Sequence, residues 1–248
     1  SKQEEGDVIK YFSPEILSYE LFYNDESVGV LNILNRTINA TFKINNIQYE
    51  INNSKNYYYL FEVSNSINPF TFTCEVNQQF QSNEINQHNI QESINTNPCI
   101  EFAVVIDYYT RQTFNSDADA SSWALAIFAG ISQLYQSQAN VSVSVENLVI
   151  WNTSDPYSSS SSTSDVLYAL TNYWSTNNNS ISRDLVHFIT KRNLGGGVAW
   201  LDGLCSYNYG YGVSAGLNND TTFNFPNPSY TWNLMVTTHE IGHNIGSE

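Results

Sequence analysis

The sequence predicts an α/β protein in which a mostly parallel sheet with helices follows a small β-rich domain. Three observations indicate this division. Short β-rich segments fill the first part of the chain, a polar tract follows them, and apolar strands then alternate with amphipathic helices. We therefore expect a β-rich domain at residues 1–76, a polar linker at 77–98 and an α/β domain at 99–248, whose last element is a helix.

The β-rich segments are separated by Asn, Asp, Ser and Pro, residues that favour turns. They read SYELFYN, SVGVLNI, INATFKINNIQYEI, NYYYLFEVS and PFTFTCEV. The tract at 77–98 has almost no apolar residues and cannot contribute much to a core. We interpret it as a linker, with a low-complexity surface loop inside one domain as the alternative.

From Cys99 onwards, buried strands alternate with helices. Apolar runs typical of strands buried on both faces are CIEFAVVIDYY, VSVSVENLVIW and DLVHFIT. Helical spacing of apolar residues occurs in DADASSWALAIFAGISQLYQSQ, STSDVLYALTNYW and SYTWNLMVTTHEIGHNIG. Asp117, Asp119 and nearby serines are candidate caps of the first helix. Met235, in the last helix, is expected to pack in the core.

Composition and charge exclude two classes of partner. The chain has 248 residues, of which 41% are hydrophobic, and can therefore bury a substantial core. Nine Lys and Arg against 24 Asp and Glu give a net charge of -15, so we expect no binding to nucleic acid or to anionic membrane surfaces. Because no apolar run approaches the roughly 20 residues of a membrane-spanning helix, we expect no membrane span within the chain.

The cysteines and the Asn-x-Ser/Thr triplets are weaker signals. Cys74, Cys99 and Cys205 are an odd number, so at least one thiol is free, bound to metal or paired outside this chain. About six triplets are expected by chance in a chain this rich in Asn, Ser and Thr. The chain has them at Asn35, Asn39, Asn52, Asn140, Asn152, Asn178 and Asn219, which suits a secreted glycoprotein but does not establish one.

The stretch HEIGH near the C-terminus carries the most specific chemistry. His239 and His243 are four positions apart, so on a helix both imidazoles project from the same side and can bind one metal ion. Glu240 lies next to the first histidine and can reach a metal-bound water. His-Glu-x-x-His arises by chance in roughly a few chains per thousand of this length, so two ordinary surface histidines are a weak alternative.

Gly246 stands where the helix is expected to end in a left-handed cap, which lets the chain turn back sharply. Such a turn delivers a further metal ligand three residues after the glycine, at the position that follows Glu248. Residues 1–248 would then hold two of three protein ligands, so we expect them by themselves to bind the metal weakly and to show little or no catalytic activity.

HEIGHNIGS matches the extended signature of the metzincin zinc endopeptidases up to its last histidine. Further segments resemble the adamalysin/reprolysin (ADAM-like) catalytic domain, namely CIEFAVVIDYYTRQTF, VENLVIW, RDLVHFIT, GGGVAWLDGLCS and YGYGVS. Residues 18–74 resemble, more loosely, the end of the propeptide that precedes these enzymes. The resemblance implies a metzincin-like catalytic domain that lacks its lower subdomain and follows a β-rich propeptide-like domain.

The resemblance also implies roles for individual residues. His239 and His243 are expected as zinc ligands, Glu240 as the general base and Gly246 as the turn residue. Zinc lowers the pKa of its bound water towards 7, and Glu240 takes the proton as the peptide carbonyl is attacked. The edge strand at residues 197–201 is expected to hold the substrate as an added antiparallel strand, through Gly197, Val198, Ala199 and Trp200.

Three further expectations come from the resemblance. Cys74 is a candidate propeptide thiol that occupies the open zinc position and keeps the enzyme latent, and a disulfide with Cys99 is the alternative. Glu101 and Asp184 occupy positions similar to those that help bind a structural Ca²⁺ in some reprolysins. Cys205 resembles a family cysteine whose partner often lies farther along the chain.

The sequence thus predicts a zinc-dependent metalloendopeptidase that acts on protein or peptide substrates. We expect it to be made as a proenzyme with its own propeptide as a partner, and to be secreted or to lie on the extracellular side of the cell surface. The alternatives are a catalytically inactive extracellular binding or adhesion module of the same fold, and a protease of another metzincin family such as the gametolysin-like enzymes. Of the other histidines, His187 is expected in the core and His88 has no assigned role.

Overall fold

A computed structural model describes residues 17–34, 37–54, 57–65, 73–74, 98–218 and 230–247 of the chain. The predicted linker at 77–98, apart from Pro98, lies outside the described residues, as do His88 and Glu248.

The N-terminal β-rich segments form a five-stranded antiparallel sheet in which neighbours in sequence are neighbours in space. Its strands are β1 (Leu17–Tyr23), β2 (Glu26–Leu34), β3 (Thr37–Ile44), β4 (Ile47–Ser54) and β5 (Tyr57–Glu62). One segment expected as a single β-rich piece divides into β3 and β4, because Asn45 and Asn46 have φ of 51° and 68°. Two consecutive left-handed residues make the tight turn that suits a hairpin.

The second sheet has six strands and mixes distant parts of the chain. It contains β6 (Thr73–Cys74), β7 (Cys99–Ile106), β8 (Ser142–Ile150), β9 (Leu185–Ile189), β10 (Gly196–Ala199) and β11 (Tyr211–Ser214). Their order is β6-β10-β11-β9-β7-β8, and every pairing is parallel except that of β10 with β11. The mostly parallel sheet predicted from the sequence is confirmed.

Four helices connect or flank these strands: α1 (Tyr108–Arg111), α2 (Asp117–Ala139), α3 (Thr163–Asn177) and α4 (Tyr230–Asn244). The hydroxyl of Ser116, rather than Asp117 or Asp119, caps α2 by accepting the Asp119 N–H at 3.1 Å. Ser162 and Asp165 form a reciprocal capping box at the start of α3. Polar residues just before each apolar run therefore define where these two helices begin.

The alternating side chains of β7 divide the core into two clusters. Phe102, Val104 and Ile106 pack with residues of α2 and α4 on one face of the sheet. Ala103 and Val105 pack with residues of α3 on the other face. Val30 of β2 belongs to the first cluster, so the N-terminal sheet packs on the helices α2 and α4.

Several sequence-based expectations need correction. Met235 is 46% exposed instead of packing in the core, because it lies on the outer side of α4. Asn39 and Asn52, two of the potential glycosylation sites, are 5% and 0% exposed, so their side chains are not accessible in the folded chain. Cys99 is a free thiol within the described part of the chain, and its alternative pairing with Cys74 stays a prediction. No helix within the described ranges is long and apolar enough to cross a membrane.

Candidate active site

The C-terminal half of α4 carries the predicted site. His239 is exposed, whereas Glu240 is fully buried and His243 is 4% exposed. The helix packs against β10 and β11 on one side and against α2 on another. One helical face thus presents an accessible imidazole next to two buried functional side chains.

The two imidazoles of α4 meet at their Nε2 atoms, which are 3.0 Å apart. The Nδ1 atom of His243 lies 2.8 Å from the carbonyl oxygen of Ser247, an atom that only accepts hydrogen bonds. Nδ1 of neutral His243 therefore carries the proton, and its Nε2 lone pair faces His239. A carbonyl on the far ring nitrogen is the usual arrangement that fixes the metal-binding tautomer.

These two side chains fit a divalent metal ion as two of its ligands. Tetrahedral coordination with metal–nitrogen distances of about 2.0–2.1 Å separates two ligand nitrogens by roughly 3.3 Å, close to the observed spacing. Burial, and then the neighbouring His243, lower the pKa of His239, which favours the neutral ring that metal binding requires. Across the described residues, no group of three His, Cys, Asp or Glu side chains forms a complete metal site.

The Glu240 carboxylate lies directly against β10. A methyl group added at Gly197 would overlap this carboxylate, with only 2.5 Å to its Cδ. The absence of a side chain at Gly197 therefore allows close approach between α4 and β10.

The end of α4 is closed by a Schellman motif. Gly246 has φ of +93°, the left-handed conformation expected from the sequence. The N–H of Ser247 donates to the Gly242 carbonyl at 2.9 Å, and the Gly246 N–H donates to the His243 carbonyl at 3.1 Å. This turn brings the Ser247 carbonyl to the His243 ring.

The segment between β10 and β11 also holds the end of α4. The N–H groups of Asp202 and Leu204 donate to the His243 and Asn244 carbonyls, each at 2.9 Å. Asn244 is fully buried, and its amide donates to the carbonyls of Trp200 and Tyr211 at 2.8 and 3.0 Å. Sequence reasoning missed this role of Asn244, because its partners lie more than 30 residues away and leave no local pattern.

The predicted substrate strand is β10, which spans Gly196–Ala199 and is shorter than the expected range 197–201. Gly197, Val198 and Ala199 pair with β11. Trp200 follows the strand, and its ring packs against Tyr168 and Tyr209. Its backbone N–H donates to Tyr211 and its carbonyl accepts from Asn244, so Trp200 supports the loop.

The short strand β6 lies on the other side of β10 and runs parallel to it, so β10 is not the edge strand that the sequence predicted. Thr73 pairs with Gly196, and Cys74 pairs with Gly197. Because Gly197 contacts Glu240, the backbone of the candidate latency residue Cys74 is one strand away from the candidate base.

The remaining predicted residues lie elsewhere. Asp184 accepts the backbone N–H of Glu101 at 2.9 Å, and binding of Ca²⁺ by these two residues stays a prediction. Cys205 is an exposed free thiol whose pKa is raised by partial burial and by Asp184. His187 is fully buried, and its Nε2 lies 2.8 Å from the Ser214 hydroxyl, with burial lowering its pKa to about 3. The prediction that His187 is a core residue is confirmed.

A parallel-rich sheet whose last helix presents His-Glu-x-x-His beside a sheet strand defines the metallopeptidase class of protein. Comparison with known families identifies the group within that class. Residues 95–248 match Reprolysin_5, described as metallo-peptidase family M12. The chain therefore belongs to metallopeptidase family M12, and the reprolysin resemblance is confirmed.

Individual relatives agree with this family. The chain is 27% identical to snake venom metalloproteinase trimerelysin-2 of Protobothrops flavoviridis over 158 residues, which are 60% of this chain and 72% of the relative. It shares the fold of metalloproteinase-II from Bacteroides fragilis, with a TM-score of 0.53 and 11% identity over 94% of this chain and 72% of that one. A chain in the structure of a chaperone–substrate complex matches with a TM-score of only 0.41 and 12% identity, over 88% of this chain and 27% of its own length, and contributes nothing to the assignment.

Proposed function

We propose that this chain is the catalytic part of a zinc metalloendopeptidase. The observation that carries the proposal is the pair of facing imidazoles on α4, with the tautomer of His243 fixed by Ser247 and the buried Glu240 beside them. His239 and His243 would hold the metal through their Nε2 atoms, and an Nε2 lone pair at each ring is the donor that Zn²⁺ prefers.

The chemistry divides between the metal and Glu240. A bound Zn²⁺ supplies Lewis acidity, which polarises a peptide carbonyl and acidifies a water molecule. Glu240 would act as the general base, because one of its carboxylate oxygens accepts the proton of the attacking water and returns it to the leaving amine. Contact with Gly197 holds this carboxylate at β10, and the peptide is expected to bind on the same strand.

Substrate recognition is proposed to use the backbone of β10. Gly197, Val198 and Ala199 already pair with β11 along one edge of the strand. A protein or peptide substrate would add along the opposite edge, where main-chain hydrogen bonds bind an extended chain with little dependence on its sequence. Trp200 would support this surface through packing, since both of its backbone polar groups have intramolecular partners.

We further propose that the enzyme is made as a proenzyme. The strand β6 pairs with β10 along the edge that the substrate would use, so the chain's own N-terminal part competes with substrate. Cys74 pairs with Gly197 beside Glu240, which favours its assignment as the latency thiol. A thiolate at this position would bind zinc well and exclude water from the metal.

Secretion is proposed from the relatives. The name of trimerelysin-2 describes a metalloproteinase of snake venom, which is a secreted fluid. Cysteines that remain unpaired within the described part of the chain, Cys99 and Cys205, would then pair outside it in an oxidising compartment.

The mechanism is tested by measuring the rate at which the enzyme cleaves a denatured protein substrate. The enzyme for this assay is the longest product that the gene encodes, after removal of residues 1–98. Glu240→Gln keeps the size of the buried side chain and removes the base, so the rate is expected to fall by about 10²–10⁴-fold. Glu146→Gln makes the same change at an exposed residue of β8, which remains after removal of residues 1–98, and it is the matched control expected to leave the rate unchanged. Equal cleavage by Glu240→Gln and the parent enzyme would contradict the proposed mechanism.

A further inference from the structure

The surface of the N-terminal sheet that meets the helices is unusually polar. Asn32, Thr41 and Glu50 are 0%, 7% and 0% exposed. Thr41 lies directly opposite Glu50 on the neighbouring strand and opposite Val30 on the other side. Because burial of polar groups costs free energy unless they are hydrogen-bonded, each of these side chains needs a partner across the interface.

Glu50 finds its partners at the first turn of α4. Its Oε1 accepts the N–H of Tyr230 at 3.2 Å, and its Oε2 accepts the N–H of Thr231 at 2.8 Å. The first N–H groups of a helix have no partners within the helix, and negative charge is favoured at this end. A carboxylate from a strand 180 residues earlier therefore acts as a cap of the helix that carries His239 and His243.

Thr41 and Asn32 reinforce this contact. The hydroxyl of Thr231 donates to the hydroxyl of Thr41 at 2.7 Å. The Asn32 amide donates to the Ala126 carbonyl of α2 at 2.8 Å and also to the Tyr230 hydroxyl. We call Asn32, Thr41 and Glu50 the polar clasp, since together they join the N-terminal sheet to both α2 and α4.

Hydrogen bonds are directional, so the bonds from Glu50 to the first N–H groups of α4 restrict the position of this end of the helix. We propose that Glu50, assisted by Thr41 and Asn32, is a positioning residue of the metal-binding helix in the uncut chain, in which residues 1–98 are still present. It fixes α4 at its start, and the helix then holds Glu240 against β10. This inference rests on the proposed function of α4 as the metal-binding helix.

The proposal gives the N-terminal part of the chain a second role. Its strand β6 covers β10, and its five-stranded sheet supports the helix that is proposed to bind the metal. A change in the polar clasp is therefore expected to alter the catalytic half without touching any residue of the metal site.

Glu50→Gln is the most informative variant, because it keeps the side-chain volume and replaces one accepting oxygen by an NH₂ group that faces a helix N–H. Glu26→Gln makes the same chemical change at an exposed position of β2. Backbone amide exchange is measured on residues 1–248, together with the Zn²⁺ dissociation constant from calorimetry. In Glu50→Gln, exchange at residues 230–234 is expected to accelerate about tenfold, as for loss of a helix cap, while exchange in β7 stays unchanged.

Zn²⁺ affinity provides the readout that a purely structural role would not change. We expect the dissociation constant to rise about threefold or more in Glu50→Gln, since support of metal ligands by outer residues contributes to affinity. If Glu50→Gln does not fold, Thr231→Val, which removes the hydroxyl that donates to Thr41, is expected to show the same changes at smaller size.

The outcomes separate the two proposals. Exchange and Zn²⁺ affinity that match those of Glu26→Gln would overturn the positioning role of Glu50. Faster exchange confined to the start of α4, with weaker Zn²⁺ binding, supports it. A parent chain that binds no Zn²⁺ at any concentration overturns the proposed metal site itself.

Discussion

The two ends of α4 are held in different ways. The N-terminal end is bound by Glu50, which is 180 residues earlier in the sequence and belongs to another sheet. The C-terminal end is closed by the local turn at Gly246 and Ser247, and it is also held by the segment between β10 and β11. The helix therefore has a long-range attachment at its start, and it has a local turn combined with long-range contacts at the end that carries the candidate metal ligands.

The two ends of α4 therefore determine different properties of the site. Local contacts at the C-terminal end shape the surroundings of His243 directly, because the same turn that caps the helix supplies the Ser247 carbonyl. Long-range contacts at the N-terminal end determine where the helix lies relative to the sheet. We expect changes at the C-terminal end to disturb the metal site most, and changes at the N-terminal end to disturb the helix as a whole.

The largest effect is expected from Asn244→Ala. The variant removes the donor to two buried carbonyls, those of Trp200 and Tyr211, and so should lower the free energy of unfolding by about 3 kcal/mol. Asn177→Ala is the matched control, because Asn177 is the exposed last residue of α3, and its loss should cost within about 0.5 kcal/mol. Urea denaturation measures both, and equal midpoints would refute the structural role of Asn244.

Gly130→Ala tests the packing of α2 against the N-terminal end of α4. A methyl group on Gly130 of α2 would overlap the Tyr230 hydroxyl and lie 2.8 Å from Cδ2 of Leu234. Overpacking costs about 1–3 kcal/mol, while the better helix propensity of alanine returns about 1 kcal/mol, so a net loss of about 1 kcal/mol is expected.

Gly242→Ala is the control for this packing. It adds the same methyl group to α4, where the nearest atom is 3.7 Å away, and it should raise the free energy of unfolding slightly. Thermal unfolding distinguishes the two variants. A stabilised Gly130→Ala would show that α2 and α4 can separate without cost.

Gly246→Ala is expected to have a smaller effect on stability. Because φ at Gly246 is +93°, an L-residue there should cost about 1 kcal/mol. Gly246→Asn should cost less, since asparagine tolerates left-handed conformations better than alanine. We expect the melting temperature to be highest for the parent chain, lower for Gly246→Asn and lowest for Gly246→Ala. Identical melting temperatures would mean that the turn is not needed.

The smallest effect is expected at the cap of α3. This cap comes from residues adjacent to the helix in sequence, in contrast to the long-range cap of α4 by Glu50. Hydrogen bonds from Ser162 and then Ser161 lower the pKa of Asp165 below its ordinary value of 3.8. A lowered pKa in the folded state means that the ionised carboxylate stabilises the fold above pH 3.8 and that this contribution is lost as the pH falls through the folded-state pKa. The difference in melting temperature between the parent and Asp165→Asn should therefore be present at pH 6 and shrink towards pH 3. A difference that is constant with pH would exclude the carboxylate as its source.

Much of the fold follows from patterns in the sequence. The buried strands and amphipathic helices after Cys99 were predictable because apolar residues recur with the periods of strand and helix, and Ser162 and Asp165 announce the start of α3. The division of β3 from β4 was missed, although Asn45 and Asn46 are residues that accept left-handed conformations. Met235 was misassigned because apolar character alone does not tell which face of a helix is covered.

The candidate site shows the same limit. The pair His239 and His243 and the turn at Gly246 are local in sequence, so they can be recognised from their spacing without a structure. Glu50 and Asn244 are not, because their role depends on partners brought together only by the fold. Nothing near Glu50 in the sequence distinguishes it from an exposed glutamate such as Glu26.

The central claim, that α4 is a metal-binding helix, is tested most directly by Zn²⁺ titration of residues 1–248 followed by calorimetry. The account predicts one Zn²⁺ per chain, with binding lost in both His239→Ala and His243→Ala and retained in His88→Ala, which lies outside the His-Glu-x-x-His sequence. Equal Zn²⁺ binding by His243→Ala and the parent chain would contradict the claim, because His239 and His243 are the two ligands proposed on α4.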